Sequence, residues 1–140
     1  MSAADPVAAL VAYLKADAGM AALLGTRVFG GELPAAEAEF MPRKALVVKP
    51  SGGASLTAGS HAEHDTGRYD LFGFGETPHE ATRVSDAGAL AMKRLTRGVW
   101  AGTLLHWANS AGGSSSGREP GTEWPRSFRS YQLFYALEEV

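Results

Sequence analysis

The chain has 140 residues, 45% apolar side chains and a formal net charge of −2 from 13 Lys/Arg against 15 Asp/Glu. That length suits one domain over residues 1–140, and the balance argues against wholesale disorder and against a chain that grips nucleic acid through its phosphates. No cysteine is present, which excludes disulfides, thiolate metal sites and cysteine nucleophiles, and no apolar run reaches the roughly 20 residues a membrane helix needs.

Asp5-Pro6 opens a first helix, with Asp as N-cap, Pro in the first turn, and Val7, Leu10, Val11 and Leu14 as its apolar stripe. The N-terminal stretch MSAADPVAAL lacks the basic start and apolar run of a signal peptide, so the expectation is a soluble intracellular product, or one assembled into a particle inside the cell. Asp17 starts a short second turn that stops at Gly25. Arg27-Val28-Phe29 is β-prone and ends at Gly30-Gly31. Residues 32–42 are acidic and Ala-rich, with Pro34 and Pro42 at their ends, and read as a connection holding at most one helical turn. Residues 44–49 (KALVVK) make a continuous apolar strand stopped by Pro50.

Residues 51–67 are polar, Gly/Ser-rich and without periodicity, a long loop by composition. Residues 68–74 (RYDLFGF) form the next strand, with Asp70, Phe72 and Phe74 on one face and Tyr69 and Leu71 on the other. The clearest local instruction follows. Thr77 is an N-cap, Pro78 fits the first turn and Glu80 stands at the capping-box position. Ala81, Val84, Gly88, Ala91 and Leu95 then form a narrow stripe of mostly small residues, so the helix can lie close against a sheet. Residues 99–108 (VWAGTLLHWA) read as a strand, 109–123 as a second long loop, and 128–137 (FRSYQLFYAL) as the closing strand.

This order gives an α+β fold: an antiparallel β-sheet of about four main strands, two helices packed on it, and two long loops. Polar loops of this length in a compact domain suggest that neighbouring chains hold them. Trp100, Trp107 and Trp124 gather in sequence around the second loop, and aromatic residues favour interfaces as well as cores. With Phe128, His61, His64 and Arg118, they are the candidate oligomer or partner contacts.

Three motifs carry the letters of known chemistry. Gly113-Ser114-Ser115-Ser116-Gly117 matches the letters of a hydrolase nucleophile elbow but lacks the strand before and helix after that would expose Ser115. Gly73-x-Gly75 stands between strand and helix like a dinucleotide loop, yet Pro78 occupies the third glycine position and removes an N–H that a phosphate would use. His61, Glu63, His64 and Asp65 could supply a zinc or nickel site, but no distant fourth ligand fixes their geometry. These readings assign no catalytic residue, metal ligand or cofactor. The basic residues Lys93, Arg94, Arg97, Arg118, Arg126 and Arg129 suit either a phosphate-contacting face or pairing with acidic segments of a neighbouring subunit.

Two passages, LLGTRVFGGELP and DLFGFGETPHEATRV, together with the order of elements from Pro6 to Leu137, resemble the tail-completion (tail-terminator) family of long-tailed bacteriophages, prophages and gene transfer agents. The long stretches 51–67 and 109–123 are where this sequence departs from that family. The resemblance implies a non-enzymatic ring, usually a hexamer, at the head-proximal end of the tail tube. It implies as partners further copies of itself, the tail tube protein and a head-closure or neck protein. DNA would pass through the lumen without sequence-specific binding, no membrane would be involved, and the protein would reside in the virion tail or neck after assembly in the host cytoplasm. The alternatives are another neck component, such as a head-closure or stopper ring, and a small metal-dependent enzyme using the 61–65 loop.

Overall fold

The computed structural model describes residues 3–52 and 63–140. Asp5 accepts a hydrogen bond from the Ala8 N–H at 3.1 Å and starts α1 (Pro6–Ala16), with Pro6 where the missing N–H costs nothing. Asp17 ends that helix and caps α2 (Ala18–Leu24) through the Met20 N–H at 3.1 Å. β1 (Val28–Gly30) follows, then the one-turn α3 (Ala35–Ala38) inside the expected connection. β2 (Ala45–Gly52), β3 (His64–Phe74), α4 (Pro78–Lys93), β4 (Gly98–Trp100), β5 (Thr103–Arg118) and β6 (Pro125–Ala136) complete the order.

The six strands lie in one sheet in the order β1-β2-β3-β6-β5-β4. Every pairing is antiparallel except β1 with β2. The α+β class is as expected, and β2, β3, β5 and β6 are its four main strands. Side chains on one sheet face (Leu46, Val48, Tyr69, Leu71, Leu105, Leu133) meet Leu10, Leu14, Met20, Val84 and Met92 from the helices in one buried cluster.

α4 keeps its N-cap: the Glu80 N–H donates to Thr77 Oγ1 at 3.2 Å, while Glu80 Oε1 reaches one residue past the capping-box partner and accepts from the Glu76 N–H at 3.3 Å. Its small-residue stripe lets it sit almost on β3. A Cβ on Gly73 would stand 3.0 Å from the Ser85 nitrogen and 3.1 Å from the Ala81 oxygen. The glycines of Gly73-x-Gly75 thus serve helix-on-strand packing and the turn between the two.

The structure departs from three of these expectations. The run 99–108 is not one strand, because Ala101 (φ 47°) and Gly102 (φ 80°) form a tight turn that folds β4 back on β5, with Trp100 opposite Thr103. Positive φ at both central residues is what short hairpin turns require. The second long loop, 109–123, is mostly strand. β5 runs on to Arg118 and pairs with β6 from Ser114 opposite Arg129 to Arg118 opposite Pro125, leaving a connection of only residues 119–124. Backbone pairing with β6 overrides the weak strand preference of Ser and Gly. The first loop also narrows, since β2 extends to Gly52 and β3 begins at His64; residues 53–62 lie outside the described part.

Asp17 also ties the α1–α2 corner to the end of α4, pairing with Arg94 Nη2 at 2.9 Å. Burial alone would raise its carboxyl pKa, but the Arg94 hydrogen bond and charge and the Met20 N–H outweigh that and hold it below the usual value. A depressed carboxyl pKa means that its stabilisation is present above the ordinary carboxylate range and is lost as pH falls through the folded value. Asp17→Ala is expected to lose about 1 kcal/mol at neutral pH, mostly as the helix cap. Urea unfolding should show that difference shrinking at pH ~3.

Candidate interaction surface

Residues of β3 and β6 that alternate with the core positions build the second face of the sheet. Phe72 and Phe128 are opposite in register, with ring centroids 5.3 Å apart. Phe134 is stacked by Trp107 at 5.5 Å and meets His106 at 5.0 Å. Both Lys49 (5.5 Å) and Arg126 (5.0 Å) stand over the Phe72 ring, two cation–π contacts to one aromatic. Phe74 is 5% exposed because Trp124, from the β5–β6 turn, covers it edge-on at 6.3 Å. A cleft of about 280 Å³ opens here, lined in part by Glu32, Leu33, Lys49, Phe72, Trp124 and Arg126. Helices cover the first face; on this one Phe72, Phe128, Phe134 and Trp107 stay half-exposed.

His64 and His106 come together across β6, with His64 Nδ1 and His106 Nε2 at 2.9 Å. One imidazole must donate and the other accept, so at least one is neutral while the bond holds. A register shift between Leu105 and Trp107 sets His106 into this position. Burial, then the charges of His64 and Arg97, push the His106 pKa below the ordinary imidazole value. A histidine whose folded pKa is depressed supports the fold above its unfolded pKa and withdraws that support as pH falls through the folded one. Thermal melts should therefore fall as pH drops from about 7 to 5. His106→Asn should flatten that dependence.

The sequence-chosen contacts scatter across the molecule. Trp107, Phe128 and His64 share the second face, and Trp124 sits at its margin. Trp100 instead packs edge-on against Tyr13 of α1 at 5.3 Å, beside the core. Arg118 closes the β5–β6 turn by donating to the Glu123 carbonyl at 2.9 Å. His61 lies outside the described residues. Phe72, Phe134, Lys49 and His106 are absent from the contacts expected from sequence, and Arg126 stands there only among the basic residues. The alternation Phe72-x-Phe74 hinted at the first of these; the others depend on cross-strand neighbours that no local spacing reveals.

Among the described residues, no group of three or more His, Cys, Asp or Glu could hold a metal ion. No single helix among them is long and apolar enough to cross a membrane. No protein-family model and no curated protein sequence matches the chain. Among solved structures, a chain of the virion of a native gene transfer agent particle is similar, with 18% sequence identity and a TM-score of 0.57 over 92% of each chain. The likeness is one of fold, and it takes in nearly the full length of both.

Proposed function

We propose that this chain is a structural virion protein that forms a ring, with six copies as the family resemblance implies, at the head-proximal end of a tail tube. The ring ends tube polymerisation and offers the surface on which the filled head docks. The observation that carries this reading is the fold likeness, over 92% of both chains, to a component of a gene transfer agent virion. The passages LLGTRVFGGELP and DLFGFGETPHEATRV point the same way from sequence.

The second sheet face suits such a role. Half-exposed Phe72, Phe128, Phe134 and Trp107 supply stacking area, and Lys49 and Arg126 supply charge at its margin. A closed ring needs two different complementary patches on each subunit, and the aromatic face is one of them. A formal charge of −2 lets DNA pass through the lumen with little electrostatic attachment. The partners are further copies, the tail tube protein below and a head-closure protein above.

The test is tail assembly with and without the protein, followed by electron microscopy of tube lengths. Loss of a terminator leaves overlong tubes, and adding purified protein restores the normal length. Tubes of normal length on headless tails in its absence would place the protein at another level of the neck and overturn the terminator reading.

A further inference from the structure

We propose that the outer edge of β5 is a strand-pairing site for a second copy of this chain, an inference that rests on the ring reading above. β4 covers that edge only at Thr103, Leu104 and Leu105. From His106 to Arg118, no described strand lies beside it. A bare sheet edge presents a row of unpaired backbone N–H and C=O groups, and proteins guard such edges with lysine, proline, brevity or bulges.

This chain guards its other edges. β1 and β4 are three residues long. Where β2 runs on past its last β1 partner, Val48, the free edge carries Lys49, Pro50 and Gly52, the last at φ 82°. The β5 run 109–117 (NSAGGSSSG) has no charge and no proline. A bulge between Ser110 and Ser114, with Gly112 at φ 77° and Gly113 at φ 50°, interrupts it and leaves residues 114–118 as an unbroken segment on β6.

The side chains point the same way. Residues 112–118 are all exposed, so the segment buries neither face. Ser and Gly favour strands weakly, and here they bring no apolar burial in return. What residues 114–117 offer is backbone, with side chains small enough and free of charge for another chain to come close. An edge without charge rejects no partner, so it must be covered within the protein's own assembly to avoid indiscriminate pairing. The chain present in equal number is another copy. In a cyclic ring each copy receives one extended segment from a neighbour and gives one to the next, leaving no edge bare.

Antiparallel neighbours alternate between residues that turn both backbone groups to a given partner and residues that turn them away. Of Ser115 and Ser116, therefore, one aims its N–H at β6 and the other outward. Ser115→Pro and Ser116→Pro, made separately, are expected to differ. One lowers Tm by breaking the inner ladder; the other keeps the wild-type Tm and circular dichroism but is monomeric by native mass spectrometry. In wild-type rings, the outward amides of residues 114–118 should exchange roughly tenfold more slowly than in the dissociated chain. Rings that persist in both proline variants, with those amides unprotected in wild type, overturn the proposal and leave the ring reading standing. Protection that needs added tail tube protein assigns the edge to the tube and overturns it equally. Wild-type protein that stays monomeric even on tail tubes removes the ring reading, and this inference with it.

Discussion

Gly75→Ala should be the most damaging single-methyl change in the protein, with a loss of about 3 kcal/mol and a fall in Tm on the order of 10 °C. A Cβ at Gly75 would lie 2.5 Å from the Glu80 Cβ and 2.6 Å from the Ala81 nitrogen. Neither atom belongs to the free end of a flexible side chain, so relief requires moving the first turn of α4. That turn is fixed by the Thr77 and Glu80 capping bonds, and moving it also shifts the helix off Gly73. Gly88→Ala is the control. Its Cβ would meet Leu71 Cδ2 at 3.5 Å, an ordinary contact, and it sits mid-helix, where alanine gains up to about 1 kcal/mol of helix propensity. Thermal melts of both variants check the pair. Equal, small changes in the two would mean that α4 does not need this close approach.

That contrast also marks what the sequence made legible. α4 can be read because capping residues and a small-residue stripe agree along one continuous segment, and that stripe implies the close packing. The strand cores 44–49 and 68–74 could be read because their burial is written as apolar character. β5 could not. Its outer half has no alternation to detect, because both faces are exposed and the strand exists through pairing with β6. The break at Ala101-Gly102 was hidden because Ala is an uncommon residue at positive φ. The same limit governs the interaction surface. Of three tryptophans close in sequence, Trp100 packs beside the core while Trp107 and Trp124 stand on the second face and its margin, whereas His64 and His106, 42 positions apart, share a hydrogen bond. His106 carries no local signal of this contact, because its partner comes from another strand across the sheet.

The larger functional effect should come from Phe128→Lys. Phe128 is half-exposed, its ring rests on Phe72, and Arg126 and Lys49 already stand over that same Phe72. In the free subunit a lysine there reaches solvent, and the loss is one aromatic pair, about 1 kcal/mol. In the proposed ring, that position is covered by a neighbour, and a third cation would be buried on a face that already carries Lys49 and Arg126 over Phe72. Such a charge weakens assembly by at least 100-fold, on the order of 3 kcal/mol. The expected outcome is a folded monomer by native mass spectrometry, with Tm lowered by less than about 5 °C. Leu90→Lys serves as the comparison, since Leu90 is 56% exposed on α4, on the opposite layer of the molecule. If the sheet face closes the ring, Leu90→Lys assembles and Phe128→Lys does not. The reverse pattern would move the subunit contact to the helical layer and leave the aromatic face for the tail tube or the neck.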